Sequence, residues 1–280
     1  MAFGGEVRIY VAHTTNLVQK ANQIASCYPT AAAALGRTLT ATVMMGSMLK
    51  GRETVTVRIN GGGPIGLIVA DADAFGHVRG YAANPRVHLQ YDSGKLNVGM
   101  AVGNAGDLFV TKDLGLKDYF TGQVPLQTGE IGDDFTYYFT KSEQIPSAVG
   151  LGVLVSEENA VIAAGGFILQ VLPGASETTI VALEKALSNI EPVSEMVSEG
   201  LTPEQIVEKI AGDGGVKILD TMDLAFECGC NKEKFEPGLI SLGATELENM
   251  IQEDNGAETV CHYCKQRYQF TAEELENLKR

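Results

Sequence analysis

The chain has 280 residues, 45% of them apolar and 20% charged, so it can bury a sizeable core and is not disordered throughout. Lys and Arg number 21 against 35 Asp and Glu, a net charge of −14, which argues against nucleic acid or an anionic membrane as a partner, since phosphate contacts need cations. Residues Met1–Val11 lack a basic start, an apolar core and a cleavage site, and no apolar run reaches the ~18–20 residues of a membrane span, so a cytoplasmic protein is expected.

Glycine and charge divide the chain. Residues 1–174 hold 24 of the 32 glycines and are almost neutral, with 14 acids and 12 bases. Residues 175–227 carry 11 acids and 3 bases, and residues 228–280 carry 10 acids, 6 bases and four of the five cysteines. The expected organisation is an α+β body over 1–174, an acidic helical linker over 175–227 and a small module over 228–280.

In the body, Glu6–Ala12 reads as a strand. Thr30–Leu49 reads as a helix, because Ala31, Leu35, Leu39, Val43 and Met48 recur at helical spacing. Thr54–Ile59, Ile65–Ala70 and Val78–Ala82 read as strands, the first two joined by a turn at Asn60–Gly63. Asp133-Asp134 reads as a turn before a strand Phe135–Phe139. Gly152–Val155 and Val161–Val171 read as a hairpin across Glu157–Asn159. Strands and helices do not alternate regularly, which favours mainly antiparallel pairing. In the acidic stretch, Ser176 precedes a helix carrying Ile180, Leu183 and Leu187, and Pro192 interrupts it. Thr202-Pro203-Glu204-Gln205 is a capping-box helix start, and Gly212–Gly215 ends the helix that carries Ile206, Val207 and Ile210. Helices this short depend on whatever they pack against.

Several motifs invite a catalytic reading and fail on context. Gly61–Gly66 matches G-x-G-x-x-G, yet the residues after Pro64 are strand-like where a dinucleotide fold needs a helix, so a turn is expected. There is no Walker A, H-E-x-x-H or G-x-S-x-G sequence. His13, His77 and His88 are scattered, and Asp71 and Asp73 flank a turn near Gly76. Cys27 reads as a structural thiol, and Met44, Met45 and Met48 as core packing. No enzyme active site is expected.

The cysteines carry the chemistry. Cys228-Gly229-Cys230 is a C-x-C pair and, thirty residues later, Cys261-His262-Tyr263-Cys264 is a C-x-x-C pair. Two close pairs separated by a helix are how a tetrahedral four-cysteine zinc site is assembled, so one Zn2+ on Cys228, Cys230, Cys261 and Cys264 is expected. A 53-residue module rarely buries enough core alone, and a structural zinc supplies ~10–16 kcal/mol in small peptides. His262 is assigned to the exposed knuckle. Thr245–Gln252 gives a helical face of Leu247, Met250 and Ile251. Lys265–Phe270 reads as a strand, and Thr271 to Glu274 as a capping box. The zinc can be a staple only. It also holds four oxidisable thiolates, and oxidation would remove the ligands, eject the metal and loosen the module and the acidic helices. A zinc-ribbon nucleic-acid binder is disfavoured by the module's net charge of −4. A thiol–disulfide oxidoreductase is disfavoured because its C-x-x-C would open a helix.

Phe226-Glu227-Cys228-Gly229-Cys230, Lys232-Glu233-Lys234-Phe235 and Cys261-His262-Tyr263-Cys264 with Tyr268 and Phe270 closely resemble the C-terminal signature of the 33 kDa heat-shock protein family. Tyr28-Pro29-Thr30 with Ala34-Leu35-Gly36-Arg37, Gly61–Gly66, Asp113-Leu114-Gly115, Tyr119–Gln123 and Ala163–Gly166 extend the resemblance through the whole chain. Cys27 stands outside the motif, and Asn231 stands where serine is common. The resemblance implies a redox-regulated chaperone that needs no nucleotide and holds unfolding client proteins. In the reduced state the zinc-bound form would be inactive. Oxidants would form Cys228–Cys230 and Cys261–Cys264 disulfides and release zinc. The module and linker would then unfold and the protein would form homodimers.

Overall fold

The first strand, β1 (Val7–His13), buries Val7 on one face and Ala12 on the other, and leads into α1 (Thr15–Ala25) and α2 (Pro29–Gly46). The computed structural model describes residues 1–279. These fall into two units, Met1–Glu227 and a second beginning at Cys228.

In the first unit, three strands follow α2: β2 (Thr54–Asn60), β3 (Ile68–Asp73) and β4 (His77–Ala82). Then come α3 (Val98–Val102), β5 (Asp107–Asp113), β6 (Phe120–Pro125) and α4 (Gly132–Lys141). The long hairpin of β7 (Ser147–Val155) and β8 (Val161–Val171) follows. Three acidic helices, α5 (Glu177–Leu187), α6 (Val193–Ser198) and α7 (Pro203–Ala211), precede the short strand β9 (Ala225–Phe226). The fold is α+β. One sheet has the order β6-β5-β2-β3-β4-β9 and is antiparallel except where β9 joins β4; the other is antiparallel with the order β1-β8-β7. Val57 sits opposite both Ala70 and Val110 in the first sheet, and Phe167 sits opposite Val11 and Gly150 in the second.

The helix α2 touches both sheets and is buried at sixteen of its eighteen positions. A helix buried all round needs small or apolar residues on every face. Ala31–Ala34, Leu35, Leu39 and Val43 supply them, and Gly36 lies so close to Val18 and Val153 that a Cβ would come within 2.6 Å of Val18 Cγ1. The hydroxyls of Thr38, Thr40 and Thr42 donate to carbonyls four residues back, so these three buried hydroxyls are satisfied within the helix. Met44 and Met45 are core residues, and Cys27 is buried in the same cluster. The Gly61–Gly66 segment is a turn between β2 and β3. A Cβ on Gly61 would lie 2.1 Å from Gly103 O, so the glycines permit backbone-to-backbone packing and no helix follows.

One expected strand is a helix. Phe135–Phe139 belongs to α4, where Phe135, Tyr138 and Phe139 fall at i, i+3 and i+4 and are all fully buried. Asp133 and Asp134 lie in its first turn, not in a preceding loop. The Asp134 carboxylate accepts the Gln127, Thr128 and Ile131 amides at 2.7, 3.1 and 2.9 Å, which suits a helix N-terminus.

The acidic helices cover the outer face of the three-stranded sheet. Ala164 and Ile168 of β8 join the main core, while Ala163, Phe167 and Leu169 form a second core with Leu183, Met196, Val197, Ile206 and Ile210. Ser176 and Thr202 cap α5 and α7. At the end of the unit, Phe226 is buried in the main core, its carbonyl accepts Lys20 Nζ at 2.9 Å, and His77 Nε2 lies 3.3 Å from Glu227 Oε2.

The second unit begins with Cys228. It contains a 3-10 turn Lys232–Phe235, α8 (Glu236–Ile240), α9 (Ala244–Asp254), the hairpin β10 (Gly256–Val260) and β11 (Arg267–Thr271), and α10 (Ala272–Leu278). Among the described residues its apolar cluster has four buried members, Leu239, Leu247, Phe270 and Leu275. Among the described residues no helix is long and apolar enough to cross a membrane.

Replacing Phe135 by Ala is expected to destabilise the first unit by ~3–5 kcal/mol in urea unfolding, whereas Ile162→Ala, at a half-exposed position, should change it by under ~0.5 kcal/mol.

Candidate metal centre

The second unit presents two knuckles to each other. The first, Cys228-Gly229-Cys230, leads into the 3-10 turn, which Asn231 caps by accepting Lys234 N–H at 3.1 Å. Lys234 Nζ donates to Gly229 O. The second, Cys261–Cys264, is the turn between β10 and β11. It is closed by Cys261 N–H donating to Gln266 O and Lys265 N–H donating to Cys261 O, both at 2.9 Å, with Lys265 at a φ of 60°. Packing fixes their separation: the Phe235 and Tyr268 rings lie 5.3 Å apart, and Lys232 pairs with Glu274 while its ammonium lies 4.8 Å from the Phe270 ring centre.

All four Sγ atoms lie within 4.8 Å of one another. Cys228 Sγ is 3.7 Å from Cys261 Sγ, and Cys230 Sγ is 3.3 Å from Cys264 Sγ. Four thiolates around a zinc at the usual bond length stand about 3.8 Å apart, so this donor set and spacing suit a tetrahedral, thiophilic ion. The four thiols carry no disulfide in this arrangement. His262 is exposed on its knuckle and is not one of the clustered groups. Cys27 lies apart, in the core of the first unit.

The environment ranks the thiols. Burial pushes Cys230 up, but hydrogen bonds from Tyr268 and the neighbouring thiols outweigh it and bring Cys230 down to about 7. Burial pushes Cys264 up to about 12, helped by the surrounding thiols, and raises Cys228 as well. Tyr268 is the functional residue that sequence reading passes over as an ordinary strand residue. Its hydroxyl lies 3.2 Å from Cys230 Sγ and donates to Cys230 O at 3.0 Å. Its bond to Cys230 raises the phenol to about 12. The signal was its place four residues after Cys264, within reach of the sulfur cluster. The C-x-x-C opens no helix; the next element is β11.

A compact centre of four mutually adjacent thiols, in a small unit that follows a larger α+β unit, places the molecule among cysteine-centred proteins built for metal or redox chemistry. The family profile described as Hsp33 protein matches residues 1–271, and the chain belongs to that family of chaperones. A 33 kDa chaperonin of Bacillus velezensis is 54% identical over 280 residues, covering all of this chain and 96% of the relative. That of Bacillus subtilis is 52% identical with the same coverage. The crystal structure of the 33 kDa chaperonin of Thermotoga maritima, a heat shock protein 33 homolog, superposes with a TM-score of 0.91 at 37% identity over 99% of this chain and 94% of that one.

Cys228→Ser and Cys261→Ser are each expected to lower bound zinc below one equivalent per chain in a metal assay of reduced protein. Tyr268→Phe should keep the stoichiometry and weaken retention by about tenfold against a chromogenic chelator, the usual effect of losing an outer-shell bond.

Proposed function

We propose that the protein is a redox-regulated, ATP-independent holdase of the cytoplasm, without enzymatic turnover. In the reduced form Cys228, Cys230, Cys261 and Cys264 hold one Zn2+ and the protein is inactive. When bound, the metal cross-links the two knuckles and keeps the thiols deprotonated. The reading is carried by the mutual approach of the four Sγ atoms within 4.8 Å in a unit whose apolar cluster has four buried side chains among the described residues.

Oxidation then acts on the thiols themselves. Two thiolates give two electrons to hydrogen peroxide, which takes two protons from solvent, leaving one disulfide and two waters. The proposed pairs are Cys228–Cys230 and Cys261–Cys264. In the reduced arrangement the short approaches run across the knuckles, from Cys228 to Cys261 and from Cys230 to Cys264. Bonds across the knuckles would staple the unit; bonds within each knuckle remove all four ligands and leave nothing joining them. The metal is released and the unit loses its main constraint. The acidic helices follow, freeing the apolar faces of Leu183, Met196, Ile206 and Ile210 and the sheet they cover. The opened protein forms homodimers and binds unfolding clients through apolar surface.

The deciding experiment measures zinc release and aggregation of a heat-denatured test protein before and after hypochlorite, or peroxide with warming. One zinc released per chain together with new suppression of aggregation is expected. Zinc release with no gain in holding would reduce the centre to a staple. Peptide mapping without reductant should find Cys228–Cys230 and Cys261–Cys264, and limited proteolysis should cut oxidised protein first within 175–280.

A further inference from the structure

The residues ahead of β1 reach both ends of the acidic helical stretch. Glu6 Oε2 accepts Ser176 N–H at 3.2 Å, Ser176 Oγ–H at 3.1 Å and the Thr179 hydroxyl. Its carbonyl accepts Leu172 N–H at 2.9 Å. Thr179 and then Ser176 hold the Glu6 carboxyl below the ordinary carboxylate range, as donors to a carboxylate do. Glu6, just ahead of β1, therefore braces the N-cap residue Ser176 of α5 from 170 residues away in sequence.

Four residues earlier the same segment holds the other end. Ala2 bridges to Val216, and Lys217 N–H donates to Met1 O at 2.9 Å. Ala2 is 2% exposed and sits in the second core with Ile206, Ile210 and Ala211. The Phe3 ring lies flat on Gly214, where a Cβ would come within 2.4 Å of the ring. Residues 176 and 216 are thus tied to residues 6 and 2, and residues 177–215 between them form a loop closed at its base.

We infer that Met1–Glu6 is an autoinhibitory clasp, which ties both ends of the 176–217 segment to β1 and restrains it independently of the four cysteines. No contact in the clasp involves a thiol, so it sets a threshold that oxidation alone does not remove. The two ties support each other. With one end held, closing the other costs little extra chain entropy, because closure entropy grows only slowly with loop length. Loosening either tie frees the segment to fray from that end. The functional consequence rests on the holdase reading above; the restraint itself does not.

The test uses the full-length, reduced, zinc-loaded protein with two variants, one on each side of the clasp. Glu6→Gln removes the charged brace at Ser176, and Gly214→Ala drives the Phe3 ring off the far end. Hydrogen exchange is followed in 176–217 with the buried α2 as internal reference, and aggregation suppression is measured without oxidant. Amides of 176–217 should exchange about fivefold faster in Glu6→Gln, as the net loss of such bonds predicts, while α2 is unchanged and all four thiols stay reduced. Both variants should hold client before oxidation. Unchanged exchange in 176–217 in both variants overturns the clasp. Faster exchange without client holding overturns its autoinhibitory role, provided oxidised wild-type protein holds client. If oxidised wild-type protein does not, the holdase reading fails and exchange alone decides the clasp. If Gly214→Ala also loosens α2, it is globally destabilised and Glu6→Gln decides.

Discussion

Four sulfur atoms crowded within 4.8 Å cannot all carry charge unless something positive lies among them. Their surroundings also differ: burial, helped by the neighbouring thiols, pushes Cys264 up to about 12, while hydrogen bonds from Tyr268 and the neighbouring thiols outweigh burial and bring Cys230 down to about 7. Protons, a dication or disulfides can each relieve the crowding, and the three solutions have different mechanical consequences. A dication joins all four sulfurs. Protons leave them apart. Disulfides join whichever two they pair. In a unit whose buried apolar cluster is Leu239, Leu247, Phe270 and Leu275, any link among the sulfurs adds to a small core.

The first unit works on the opposite principle. Its core is large, and α2 is packed on every side by the two sheets, with Gly36 and the alanines allowing the close approach. Within the same unit the acidic helices pack on the three-stranded sheet through a smaller core, and the stretch 175–227 that contains them has 11 acids against 3 bases. A sturdy body, a lightly held helical cover and a unit dependent on sulfur chemistry form a series of decreasing self-sufficiency. That gradient makes local opening possible without loss of the whole molecule.

Local signals were legible in the sequence and long-range ones were not. The C-x-C and C-x-x-C spacing announced the sulfur cluster, and Thr202 to Gln205 announced the start of α7, because each depends on residues a few positions apart. The α2 helix was readable from its periodicity. Phe135–Phe139 was misread, since Phe-Thr-Tyr-Tyr-Phe alternates nearly as a strand does, and the burial of Phe135, Tyr138 and Phe139 along one helical stripe settles it. The α1 helix and strands β5 and β6 went unread, although Leu17, Val18 and Ala21 share one face of α1 and Leu108 and Val110 alternate inward along β5. Tyr268 at Cys230 and Glu6 at Ser176 join residues 38 and 170 positions apart, and no local pattern reports such pairs.

Phe226 gives the chain a firebreak. It lies two residues before the first cysteine of the cluster, yet it is buried in the main core of the first unit, with Ala225 and Phe226 laddered to β4 and the Phe226 carbonyl held by Lys20. Disorder starting at the sulfur cluster and moving toward the N-terminus meets this anchored ring at once. Extracting a buried Phe costs on the order of 3–5 kcal/mol, so any spread of disorder from the sulfur cluster toward the acidic helices has to overcome this one side chain first. Phe226 thus sets a threshold between the small unit and the helices that precede it in the chain.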